Sequence, residues 1–239
     1  MLSMPRCAAR WNRCFGALLL LVCLAGAPRA AAQEAQDEAL PALEEIVARV
    51  EEKLRSIEQL EMTVELEQYN PADGSVTPGR GRVLAQFPNL FRFDWLAPDM
   101  LAGSILVVDR ARNEAQQYNP IREEIIVQRW DRLAAQQNLV PDIDRWLALP
   151  DPADYDVELG GVAYVDEVPH YLILARPKAD PAQRYEFLIH PATWMVTEFR
   201  YYDAQGRLTL RGVLSDVRIN GGPVESRIRD LPRARVRQL

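Results

Sequence analysis

Leu40, Leu43, Ile46, Val47, Val50, Leu54 and Ile57 recur every three or four residues, with acids and bases between them. That period predicts an amphipathic helix of about five turns. From Leu60 the period changes to two: Leu60, Met62, Val64 and Leu66 alternate with Glu61, Thr63, Glu65 and Glu67, the pattern of a half-buried strand. Asn70-Pro71-Ala72-Asp73-Gly74 is turn chemistry and sends the chain back through Arg80 to Phe87 as a hairpin. Further strands are predicted at 90–95, 104–109, 114–118, 125–128, 155–159, 170–176, 184–190, 194–202, 207–217 and 224–228. Between them, Leu133, Leu139, Ile143, Trp146 and Leu147 fall at helical spacing, with Pro141 and Pro150 nearby, so 130–149 reads as one or two short helices.

Two helical stretches among so many strands exclude a βαβ array, because parallel strands need a crossover between each pair. The expected class is mainly β (α+β): a curled antiparallel sheet with helices on its concave face. The strand at 171–175 is apolar on both faces, as a sheet packed on one side and lining a cavity on the other would be; a core strand of a sandwich has the same pattern.

The first 32 residues carry Arg6, Arg10 and Arg13, an apolar run from Phe15 to Leu24, and then Ala30-Ala31-Ala32. This predicts a secretory signal peptide cleaved near Ala32, and a single domain over 33–239 that begins with a short leader. Cys23 raises a lipoprotein-signal alternative, which Val22 opposes where that cleavage needs a small residue. Cleavage after Ala32 removes Cys7, Cys14 and Cys23, so the mature domain has neither a disulfide nor a thiol nucleophile. It also removes four arginines, taking Lys+Arg from 28 to 24 against 34 Asp+Glu and the net charge from -6 to -10. An acidic domain suits neither nucleic acid nor an anionic lipid surface.

Phe87-Pro88-Asn89-Leu90-Phe91-Arg92-Phe93, Ala97-Pro98-Asp99, the apolar strand 104–109 ending in Asp109, Tyr118-Asn119-Pro120 and the later Asp203-Ala204-Gln205-Gly206 turn form a recognisable set. They resemble the LolA-type periplasmic lipoprotein carriers, densely over about 40–120 and by topology alone beyond. The resemblance implies an unclosed antiparallel half-barrel whose hydrophobic concave face is covered by helices, with lipoprotein acyl chains, or lipids, held between. It implies an inner-membrane release complex and an outer-membrane acceptor as partners. Phe91, Phe93 and Trp95 share one strand face by parity and, with Phe87, Met62, Val64 and Leu66, are the expected lipid-contacting residues; Arg92 and Asp94 take the other face. The family has an Arg before the motif's Pro, said to hold the helical lid, and here that residue is Phe87. Either a lid held by packing, independent of a charged donor, with Phe87 at the cavity or its rim, or a different cargo, such as a free lipid or glycolipid, is expected instead.

No enzyme is expected. The mature chain has only His170 and His190, no cysteine, and none of the zincin, nucleophile-elbow or phosphate-loop patterns, so neither catalytic residues, a metal site nor a cofactor is predicted. Both histidines sit beside strand boundaries, where surface or satisfied positions are expected. Gly160-Gly161 and Gly221-Gly222 read as turns at strand ends. The alternating arginines 227, 229, 233, 235 and 237 read as a solvated edge or frayed terminus, or as a docking strip for an acidic partner or headgroup. An envelope lipid- or lipoprotein-sensing regulatory module on the same fold is the alternative function; such relatives carry a further C-terminal domain, for which the chain after the last expected strand leaves little room. A hydrolase on a β-scaffold is a third reading, opposed by the poor catalytic inventory. A monomer is expected.

Overall fold

The period-3.6 segment forms α1 (Leu43–Arg55), with Glu44 and Glu45 in its first turn and Lys53 and Arg55 in its last, each matching the helix dipole. The computed structural model describes residues 40–135 and 143–239. The expected signal peptide and leader, and Leu139 and Pro141 of the expected helical stretch, lie outside the described residues.

The period-two segments form β1 (Gln59–Tyr69), β2 (Val76–Gln86), β3 (Leu90–Ala97), β4 (Ile105–Asp109), β5 (Glu114–Asn119) and β6 (Glu124–Arg129). Two short helices follow, α2 (Trp130–Ala134) and α3 (Ile143–Leu147). Then come β7 (Tyr155–Val165), β8 (Val168–Pro177), β9 (Arg184–His190), β10 (Met195–Tyr202) and β11 (Leu208–Ile219), a helix α4 (Glu225–Arg229) and a last strand β12 (Arg235–Gln238). The order across the sheet is β12-β6-β5-β4-β3-β2-β1-β11-β10-β9-β8-β7. Every neighbouring pair is antiparallel except β12 with β6. The ends do not meet, so this is the expected unclosed half-barrel.

One face of the sheet, the inner one, carries the main core. Ile46 and Val50 of α1, Leu133 of α2 and Ile143, Trp146 and Leu147 of α3 pack on Met62, Val64, Val83, Phe91, Phe93, Phe187 and Phe199 of the strands. The outer face has a second, smaller cluster, where Val224 and Ile228 cover Leu84, Leu90, Ile105 and Val107. Among the described residues no helix is long and apolar enough to cross a membrane.

Two sequence expectations fail here. Residues 224–228 are not a strand: Val224 and Ile228 stand four apart, and one helical turn brings them about 6 Å apart along the axis onto one buried patch, where a strand would keep them on one face but about 13 Å apart. Gly160-Gly161 is not at a strand end but within β7, where the register shifts between Leu159 and Gly161 and Gly161 takes φ +101. A bulge lets the strand bend while pairing continues to Val165.

The basic C-terminal segment is held by acids of the same chain. Arg227 donates to both carboxylate oxygens of Glu61 at 2.9 Å, Arg229 reaches Asp109 at 2.9 Å, and Arg235 and Arg237 lie 3.0 and 3.6 Å from Glu124, which is 2% exposed. Arg92, beneath α4, donates to the carbonyl oxygen of Arg227 at 3.0 Å and pairs with Asp94. The edge of β6 is thereby paired rather than left open.

These pairs set an acid-side limit on stability. The Arg227 hydrogen bonds hold the Glu61 carboxyl below its usual range. Burial would raise Asp109 and Glu198, but Arg229, with the Arg112 N–H, and the Arg211–Arg200 pair outweigh it and lower both. A carboxyl lowered in the folded state contributes stability that is whole above the unfolded pKa, about 4, and is lost as pH falls through the lowered value. The denaturant midpoint is expected to be flat near neutrality and to drop below about pH 4. Arg229→Gln should be less stable than wild type near pH 7, with the gap closing in acid; a gap that stays constant from pH 7 to 3 contradicts this account.

Candidate functional site

The inner face is paved with rings from alternate positions of neighbouring strands. Phe91 and Phe93 come from β3, Phe187 and Tyr185 from β9, Phe199 and Tyr201 from β10, and Tyr155 from β7. Two glycines make the paving flat. A Cβ on Gly81 of β2 would lie 2.2 Å from Phe93 Cζ, and one on Gly212 of β11 would lie 2.1 Å from Phe199 Cζ. Each phenyl ring therefore rests directly on backbone, a close approach that glycine alone permits. Val64 of β1 pairs with Gly81, and Leu66 pairs with Gly212, so the two rings lie on either side of the central strand.

Trp146 of α3 descends between them. Its ring is T-shaped to Phe93 at 6.1 Å and stacked on Phe199 at 6.0 Å, with 15° between planes. Ring contacts continue from Phe199 to Tyr201, Tyr185 and Tyr155 at 5.3, 4.7 and 5.7 Å, and on the other side from Phe93 to Trp95 at 4.6 Å. Edge-to-face and offset pairs of this kind add about 0.5–1.5 kcal/mol each beyond area burial.

Two clefts flank α3. The first is floored by Phe91, Phe93, Leu106 and Val108, walled by Arg110 and roofed by Trp130 and Ile143; it encloses about 20 Å³, room for about one water. The second, about 350 Å³ and more open, lies among Tyr155, Tyr185 and Phe187 of the sheet and Arg145, Ala148, Leu149 and Pro150. Each has a guanidinium laid on rings. Arg110 sits 4.4 Å from the Phe91 centroid and 5.8 Å from that of Trp130, while Arg145 sits 5.3 Å from Tyr185 and 4.9 Å from Tyr201. Arg49 of α1 lies likewise over Trp194, which stacks on Tyr171.

All seven residues singled out from sequence stand on the inner face. Phe91 and Phe93 line the first cleft. Phe87 packs edge-on against Phe91 at 5.6 Å, and Trp95 packs on Phe93. Met62 and Val64 are fully buried on the floor, and Leu66 is half-buried beside them. Arg92 and Asp94 are on the outer face, as strand parity requires. Arg110 and Arg145 lie over rings of α2 and of the sheet, contacts that the sequence reading did not anticipate. Neither arginine precedes the motif's Pro, so that motif gave no sign of them. Tyr155, Tyr185 and Phe199 were also missed as lining residues; the alternation in 155–159, 184–190 and 194–202 gives each its strand face but does not say that helices cover it.

His170 is buried on the outer face with Nδ1 3.0 Å from the Val168 carbonyl oxygen, and His190 Nδ1 accepts the Ala192 N–H at 3.1 Å. Among the described residues no group of three or more acids or histidines is placed to hold a metal ion.

No family model and no curated protein matches the sequence. Solved structures do match in fold. An uncharacterized conserved protein from Thermus thermophilus superposes with a TM-score of 0.55 at 19% identity, over 82% of this chain and 98% of that one. MucB superposes with a TM-score of 0.53 at 18% identity, over 81% of this chain but only 64% of MucB. A LolA superfamily protein from Nitrosomonas europaea aligns at 13% identity over 78% and 97% of the two chains, with a TM-score of 0.38. The open antiparallel sheet, the long first helix and the short helices on its inner face are together the architecture that the sequence motifs imply. The fold is the one seen in the Thermus thermophilus protein and in the matched part of MucB. Likeness at these identities concerns the fold alone; what the inner face binds is argued next from its own geometry.

Proposed function

We propose that the protein is a non-enzymatic carrier that shelters the acyl chains of a lipoprotein or lipid on its inner face. The observation that carries this reading is the unbroken aromatic and aliphatic floor beneath α2 and α3, two helices of five residues each. An ordinary core is sealed by long elements. Here, among the described residues, α2 and α3 are short, and their contacts with the floor include ring stacks and guanidinium–ring contacts, each worth about 0.5–2 kcal/mol and separable without breaking a sheet hydrogen bond. Burying hydrocarbon on such a floor gains about 0.8 kcal/mol per methylene, enough to offset lifting the cover. With about 20 Å³ in the first cleft, a chain enters it only when α2 or α3 moves.

Export by the predicted signal peptide, cleaved near Ala32, would place the carrier in the periplasm. There it would take cargo from an inner-membrane release complex and pass it to an outer-membrane acceptor. Phe87, Phe91, Phe93, Trp95, Met62, Val64 and Leu66 are the proposed chain-contacting residues, with Arg110, Arg145 and Trp146 holding the cover.

A second reading, an envelope-sensing module that binds a regulatory protein, is favoured by the likeness to MucB. MucB has also been solved in complex with MucA(peri), in a structure that superposes here with a TM-score of 0.51 at 15% identity.

Native mass spectrometry on protein purified without detergent tests the first reading. Co-purifying lipid or acylated protein is expected, and Phe91→Glu should deplete it several-fold. The new carboxylate would stand beside Arg110, now 4.4 Å from the Phe91 ring, so the variant has an ion partner for folding while its cleft turns polar. A clean mass with no uptake of added lipid or lipoprotein would refute the carrier and leave the sensing module.

A further inference from the structure

We infer that the clefts on either side of α3 are separate subsites for the two hydrocarbon chains of one amphiphile, with Trp146 as the divider between them. This rests on the carrier reading above and names the class of cargo: two-chain lipids or lipid anchors.

The floor is continuous from Phe91 and Phe93 on one side to Tyr185 and Phe187 on the other, and α3 crosses it. Trp146 is 6% exposed and touches the floor on both sides, at Phe93 and at Phe199. One straight chain spanning the floor must evict an indole packed against two rings. Two chains, one on each side, leave that stack in place and still cover the apolar surface. The Phe93 and Phe199 rings can brace Trp146 at that depth only because Gly81 and Gly212 let them lie flat on the backbone.

The subsites are unequal. The second cleft, about 350 Å³, is open to a chain without rearrangement, whereas the first, about 20 Å³, opens only when Trp130 and Ile143 move. A single-chain lipid therefore occupies the second cleft alone, and the first fills only when a second chain is tethered to one already bound, at high effective concentration.

The test is a calorimetric titration of the purified protein with dioctanoylphosphatidylcholine and with monooctanoyl-lysophosphatidylcholine, each below its micelle concentration. Added apolar area alone favours the two-chain lipid in any cavity, so the decisive comparison is between variants. Leu106→Trp fills the first cleft; it should weaken the two-chain lipid at least about tenfold and leave the single-chain lipid within about twofold. If Leu106→Trp does not fold, Val108→Phe fills the same cleft and should give the same split. Ala148→Trp, which narrows the second cleft, should weaken both lipids. Equal weakening of both lipids by the first-cleft variant means one undivided cavity and overturns the two-subsite inference, while the carrier reading stands. Binding of neither lipid by the wild-type protein removes the carrier reading and the inference with it.

Discussion

Gly212→Ala is expected to cost about 1–3 kcal/mol of stability, the usual penalty for forcing an extra methyl group into a packed core. The added Cβ would meet Phe199 Cζ, Cε1 and Cε2 at 2.1, 2.4 and 2.6 Å, so the ring must leave its seat. Phe199 is fully buried between Trp146 above and the sheet below, and nothing flexible is available to yield. Gly79→Ala is the control. It lies on β2, on the other side of β1 from Gly212 and also paired with Leu66, but its Cβ would find Leu66 Cβ at 3.6 Å, an ordinary contact. That variant should be neutral within about 0.5 kcal/mol or slightly stabilised, since alanine loses less chain entropy than glycine on folding. Both are read from denaturant midpoints at unchanged slope. Equal effects at the two positions would show that the flat seating of Phe199 on Gly212 is not what the inner face depends on.

Much of the sheet could be read from the chain because its signal is local. Alternation in 60–66, 90–95 and 184–190 gives both the strand and the face, and parity alone puts Phe91, Phe93 and Trp95 inward with Arg92 and Asp94 outward. Helical and strand periods diverge least over short segments, which is why 224–228 deceives: five residues with Val224 and Ile228 at the two ends fit either pattern, and only the outer-face patch of Leu84, Leu90, Ile105 and Val107 decides. The C-terminal arginines were visible as a basic run, but their partners Glu61, Asp109 and Glu124 lie more than a hundred residues away, and charge pairing at that separation leaves no trace in spacing. The site shows the same division. Its aromatic floor follows from parity and motif. Gly81 and Gly212, by contrast, are glycines in the middle of strands, which sequence marks only as weak points; that each supports a ring is a cross-strand fact.

Trp146→Ala is the larger perturbation, and its effect depends on what holds α3 down. Truncating a buried tryptophan costs about 3–5 kcal/mol when the whole domain feels the loss. Here the indole secures a five-residue helix whose other anchors are Ile143, Leu147 and the Arg145 side chain over Tyr185 and Tyr201. Local release of α3 is then a cheaper response than global unfolding, because it breaks no strand pairing. The expected result is a divided one. Amides of 143–147 should lose nearly all hydrogen-exchange protection, while those of β1, β2 and β11, which are fixed by pairing on both sides, should keep theirs to within the smaller drop in global stability. A uniform loss of protection across sheet and helix would mean that α3 is an integral part of the core, not a cover. In that case the inner face has no separable lid, and the Phe93 and Phe199 rings are packed as any interior is, with no route for a chain to reach them.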